Sequence, residues 1–94
     1  MKVRYTNTAL AEIADLLCRI AADNREAAVA VAKEIKSTVG RVSAHPKLAR
    51  VVYKGDVRAV MVGRFNYRIF YMLDADAVII RNVRSTKRKR PWEE

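Results

Sequence analysis

Six cations and no acid fall within ten residues near the end of this chain: Arg81, Arg84, Lys87, Arg88, Lys89 and Arg90 precede Pro91-Trp92-Glu93-Glu94. Guanidinium and ammonium groups at that density neutralise phosphate or carboxylate, and the indole of Trp92 offers a flat apolar anchor for a partner. Upstream, Tyr67-Arg68-Ile69-Phe70-Tyr71 sets an arginine between two tyrosines. Strand alternation puts Tyr67 and Tyr71 with Ile69 on one face, which reads as core or groove packing. It puts Arg68 on the other face beside Phe70 and Met72, free either to pair with Asp56 or Asp74 or to meet a functional partner. His45 is the single histidine and the natural acid-base candidate, but it directly precedes Pro46, a position that reads as a helix-ending turn. Cys18 is the single cysteine. One thiol and one imidazole far apart supply no ligand set for a structural metal and no internal disulfide, and no cofactor is expected.

These residues need elements to position them. Val3-Arg4-Tyr5 alternates as a short strand, and Thr6 can accept from the free amides of a helix start. Leu10, Ile13, Leu17 and Ile20 form the apolar stripe of a first helix, and Asp23 with Glu26 has capping-box spacing for a second. The second stripe is Ala28, Val31, Ile35, Val39 and Val42, and that helix ends before Pro46. Beyond it the period becomes two, with turn-prone breaks at Lys54-Gly55-Asp56, Gly63-Arg64-Phe65-Asn66 and Asp74-Ala75-Asp76, so successive strands should be antiparallel neighbours. Val78-Ile79-Ile80 reads as a central strand that the amino-terminal strand can join. The expectation is an α+β fold of order β-α-α-β-β-β-β, a helical hairpin on one face of a small, mainly antiparallel sheet.

Length and charge set the limits. Ninety-four residues make one domain, 1–94, with a basic tail from about 85 to 94. The net charge is +9; residues 1–47 hold 8 basic and 5 acidic side chains, net +3, and residues 48–94 hold 11 and 5, net +6. Such an imbalance calls for an anionic partner, and the excess lies on the sheet half. The lone thiol suits a reducing cytosol. No apolar signal segment follows the first charges and no stretch approaches the roughly 20 apolar residues of a bilayer span, so a cytoplasmic protein is expected, with no membrane partner.

In this order, three segments resemble the RelE/ParE superfamily of type II toxins. They are Tyr5-Thr6-x-x-Ala9-x-x-x-Ile13, Val62-Gly63-Arg64-Phe65-Asn66-Tyr67-Arg68-Ile69-Phe70-Tyr71, and Val78-Ile79-Ile80-Arg81-Asn82-Val83-Arg84 before a basic tail. The resemblance covers nearly the whole chain and implies a small toxin neutralised by a cognate antitoxin in a hetero-oligomer. It implies one of two modes of action: binding and inhibiting DNA gyrase, as ParE-type toxins do, or cleaving mRNA on the ribosome, as RelE-type toxins do. Cleavage through a 2′-hydroxyl needs a proton acceptor, a proton donor and cations around the phosphate, and arginine can supply only the last. RelE-type ribonucleases carry paired lysines on the strand before the Tyr-Arg motif, where this chain reads Arg58-Ala59-Val60-Met61-Val62. They also carry a tyrosine near the carboxy terminus, where this chain has Trp92.

The pattern is therefore closer to ParE, a binder rather than an enzyme. Its expected target surface is Arg81, Arg84, Lys87, Arg88 and Trp92. The ribonuclease alternative would gather Arg58, Arg68, Arg84 and Lys87 around a phosphate, with Lys54 or Lys87 as the nearby amine. A plain nucleic-acid-binding module is the third reading. The antitoxin is expected to lie over Leu10, Ile13, Leu17, Val31 and Ile35 and to pair with a sheet edge. Because Val78 to Val83 should complete the last strand, residues 85–94 are expected to be removable with the fold intact, unless the tail packs back through Trp92.

Overall fold

The structure is a computed structural model and describes residues 1–93; Glu94, the last residue of the expected tail, lies outside the described residues. Strand β1 (Lys2–Tyr5) leads into helix α1 (Asn7–Asp23), and one residue separates α1 from α2 (Arg25–Ala44). Strands β2 (Val51–Tyr53), β3 (Val57–Met61), β4 (Tyr67–Asp74) and β5 (Ala77–Ser85) follow, and a 3-10 turn spans Pro91–Glu93. The sheet order is β1-β5-β4-β3-β2. β1 is parallel to β5 and every other pairing is antiparallel, so the expected α+β arrangement is the observed one.

Thr6 does two things at once. Its Oγ1 accepts from the Ala9 amide at 3.0 Å, capping α1, and donates to the Arg81 carbonyl at 2.8 Å, tying the helix start to β5. That tie holds the first turn against the sheet, so the small Ala9 is the contact residue and Leu10, expected in the buried stripe, is 51% exposed. Leu16 joins Ala9 in the core, while Ile13, Leu17 and Ile20 pack at its margin. The start of α2 also differs from the expected Asp23 cap. Asn24 holds extended angles, its amide closes α1 on the Ile20 carbonyl, and its Oδ1 accepts from Ala27 at 3.0 Å. A one-residue link leaves Asp23 inside α1, so the asparagine caps both helices.

The stripe of α2 is buried as expected, from Ala28 to Val42. It meets Ile69, Tyr71, Val78, Ile80 and Val83 of the sheet in one core. Lys54, Gly55 and Asp56 form the three-residue turn between the paired Tyr53 and Val57, and Gly55 and Asp56 hold left-handed angles, with φ of 82° and 56°. β5 carries one extra residue: Tyr71 pairs with Ile80 and Phe70 with Asn82, which leaves Arg81 bulged. It also runs two residues further than expected, Ser85 pairing with Tyr67.

Candidate functional site at the end of the sheet

Past Ile80, β5 has no strand on its outer side, because β1 stops at Tyr5 and the chain turns into α1. Glu12 of α1 fills that gap. Its Oε1 accepts from the Val83 amide at 3.1 Å and the Asn82 side chain at 3.0 Å, and its Oε2 pairs with Arg84 Nε at 2.7 Å. Only 12% of the Glu12 side chain and 11% of that of Arg84 is exposed, so the carboxylate stands in for a missing strand and the guanidinium is held from within. Arg84, expected to face a target, is thus committed to Glu12, and its Nη1 reaches the Lys89 carbonyl at 3.4 Å. Glu12 falls outside the apolar stripe of α1, and its partners lie 70 to 72 positions away, beyond any local pattern.

The described part of the tail, residues 85–93, is held to the fold. Thr86 donates its amide to Asn66 at 2.9 Å, Arg88 to Ser85 at 3.1 Å, and Glu93 caps the Arg90 amide at 2.8 Å. It returns over the sheet face away from the helices, where Trp92 stacks on Tyr53 (ring centroids 4.1 Å, planes 8° apart) and meets Phe70 edge-on at 5.3 Å. Phe70 is 1% exposed beneath it. Arg81 lies over the indole at 5.6 Å and Arg68 over the Phe70 ring at 5.8 Å. Trp92 and Arg81 therefore serve the fold as packing groups. Within residues 85–93, Ser85 belongs to β5 and Trp92 packs against Phe70, so this segment lies on the sheet.

Of the four groups of the ribonuclease alternative, Arg68 and Arg84 face each other in register across β4 and β5, and Arg58 stands apart from them. Arg58 pairs in register with Tyr71, on the helix-facing side, and donates to the Ala49 carbonyl at 2.6 Å. Arg68 stands on the opposite side with Arg84 as its register partner, Arg84 is tied to Glu12, and Lys87 is exposed on the turn after β5. Of the residues expected to meet an antitoxin, Val31 and Ile35 are core, 3% and 5% exposed, because α2 turns that stripe onto the sheet. Leu10 is open and Ile13 and Leu17 are half-buried. His45 is the C-cap of α2, as its place before Pro46 suggested. Tyr71 donates to the Pro46 carbonyl at 2.8 Å, and burial pushes its hydroxyl above the usual tyrosine value against smaller opposing pulls from the Ala49 backbone and Arg58. Burial raises Tyr5 as well. Among the described residues no cluster of acids, histidines or thiols could hold a metal ion, and no helix is long and apolar enough to cross a membrane.

Two clefts flank the beginning of the tail. One, of about 440 Å³, lies between α1 and β5 and mixes Glu12, Asp15 and Asp23 with Arg19, Arg84 and Arg88. The other, of about 400 Å³, is lined by Ile20, Ala27, Val31, Phe65 and Tyr67 together with Arg64, Asn66, Ser85 and Lys87, and by no acid.

Comparison with known proteins agrees with this architecture. The family described as the ParE toxin of the type II toxin-antitoxin system parDE matches residues 3–90. Among solved structures, the chromosomal ParDE system of P. aeruginosa is similar at a TM-score of 0.78 and 17% identity, covering 90% of this chain and 95% of that one. The isolated RelE toxin of E. coli is similar at a TM-score of 0.63 and 14% identity, covering 98% of this chain and 90% of that one. No curated protein matches the chain.

Proposed function

The chain belongs to the ParE toxin family, the toxin half of type II toxin-antitoxin modules, and from that premise we propose that it acts by binding DNA gyrase and inhibiting it, without cutting a substrate. The observation that carries this reading is the position of Trp92. It lies on the same sheet face as Arg68, stacked on Tyr53 and edge-on to Phe70, where the ribonuclease alternative would need a proton donor or acceptor. An indole there can neither take nor give the protons that 2′-hydroxyl attack requires. The placement of Arg58 on the other side of the sheet from the in-register pair Arg68 and Arg84 supports the same reading.

A toxin of this family has an antitoxin as partner. We assign its contact to the open side of α1 around Leu10, with Ile13 and Leu17 at the margin, and to a free sheet edge such as β2, where Val51 is 44% exposed. The two form a hetero-oligomer in the cytoplasm in this reading. Gyrase supercoiling and ribosome-coupled mRNA cleavage, run side by side with purified toxin, test the target. Loss of supercoiling with intact mRNA is the expected result. Codon-specific cleavage that disappears in Arg68→Ala overturns the proposal in favour of a ribonuclease.

A further inference from the structure

Tyr67 is half-buried, and its hydroxyl makes no hydrogen bond to another described residue. It stands where the two clefts beside the tail meet, since Ile20, Tyr67 and Ser85 line both. On the side without acids, Ile20 of α1, Ala27 and Val31 of α2 and Phe65 of the β3–β4 turn complete an apolar floor around its ring. Arg64 and Lys87 line the same cleft; both are exposed, and among the described residues neither is paired with an acid. They come from two turns joined by the Thr86–Asn66 hydrogen bond, and the Lys87 amide donates to Ser85 Oγ at 3.2 Å.

We propose that this cleft seats a segment of the target protein in which a large apolar side chain lies next to an aspartate or glutamate. The inference rests on the gyrase reading, so the segment belongs to gyrase. An apolar and aromatic centre with cations around it has the composition of the buried heart of a protein interface. The apolar side chain enters over Val31, Ile20 and Phe65, and the carboxylate beside it meets Arg64, Lys87 and the Tyr67 hydroxyl, three side-chain donors left without an acceptor by the fold. Because the two turns are already tied together, little conformational entropy is lost when these donors are engaged. A phosphate backbone would set charged oxygens against the apolar floor, and the rings of Phe65 and Tyr67 pack against the protein's own core instead of standing open to bases. A second copy of the chain, also at +9, is repelled. The antitoxin contact assigned around Leu10 lies about 15 Å along α1 from Ile20, which leaves this end of the helix to the target.

The test uses the purified full chain and gyrase without DNA, with binding followed by biolayer interferometry and thermal melts establishing that each variant folds. Arg64→Glu with Lys87→Glu turns two carboxylates toward an acidic segment and should weaken binding at least about tenfold. Tyr67→Phe keeps the ring, and loss of a hydrogen bond to a charged group should weaken binding about tenfold as well. A control with the same charge change on exposed positions of α2, Lys33→Glu with Lys36→Glu, binds like the parent. Overlapping peptides that tile the gyrase chains should include one that pairs an apolar residue with an acid and displaces gyrase from the parent. If the two double variants weaken alike, only net charge is felt and the proposal fails. It also fails if Tyr67→Phe binds like the parent, if poly-glutamate displaces gyrase as well as that peptide does, or if sedimentation shows the parent self-associating where Tyr67→Phe does not. Inhibition of supercoiling by the parent keeps the gyrase reading alive in each of those cases. A parent that neither binds gyrase nor inhibits it removes that reading and this occupant together.

Discussion

Trp92→Ala should lower the stability of the isolated toxin by about 2 kcal/mol. The magnitude follows from what the ring touches. Its stack on Tyr53 and its edge contact with Phe70 are each worth about 0.5–1.5 kcal/mol beyond burial, and a partly exposed cation over the ring, here Arg81, adds about 0.5 kcal/mol. The opposing term is the freedom that the 3-10 turn Pro91–Glu93 regains once its anchor is gone, which removes part of that gain. In a domain of this size each kcal/mol moves the midpoint by about 4–8 °C, so a drop of about 8–16 °C is expected in a thermal melt followed by circular dichroism. Trp92→Phe keeps a ring between Tyr53 and Phe70 and should recover more than half of the loss. A Trp92→Ala midpoint within 2 °C of the parent, at the roughly 1 °C precision of a melt, would refute the assignment of the tail to the sheet face.

Three further outcomes follow from the same contacts. Glu12→Ala strands a buried guanidinium and two other donors and should cost about 3 kcal/mol, whereas Glu12→Gln keeps an acceptor for Val83 and should lose about half as much, both read from urea midpoints. Tyr71→Phe loses the bond to Pro46 and should cost about 1 kcal/mol at neutral pH. Because burial raises the folded-state value of Tyr71, its contribution is complete below the unfolded value near pH 10 and is lost as pH climbs through the folded one. The parent should therefore lose stability above about pH 10 more steeply than Tyr71→Phe, and equal slopes would contradict this. A chain ending at Ser85 should melt at or below Trp92→Ala, since it gives up the indole and the Thr86–Asn66 bond together.

Periodicity alone separated helices from strands here, because each pattern reports a local geometry: three and four for Val31, Ile35, Val39 and Val42, two for Tyr67, Ile69, Tyr71 and Leu73. Thr6 as a cap, the Gly55-Asp56 turn and the helix end at His45 were legible for the same reason, since each is settled within four residues. Charge and length together were enough to indicate an anionic partner, and the order of the elements was enough to suggest the family.

What a given cation does was decided only by the folded chain. Arg84 and Lys87 look alike in sequence, yet one is locked to a carboxylate 72 positions away and the other is exposed. The cause is a geometric accident of topology: β1 is shorter than β5, so the open edge from Arg81 to Ser85 needs an acceptor, and the helix that begins where β1 ends carries Glu12 to it. Trp92 likewise looked like an anchor for a partner. Phe70 had already been placed on the outer face by strand alternation, and Tyr53 came beside it through the β2–β3 hairpin, so the nearest apolar surface for the indole was the protein's own sheet. Both outcomes depend on where distant segments arrive in space, and no spacing along the chain encodes that.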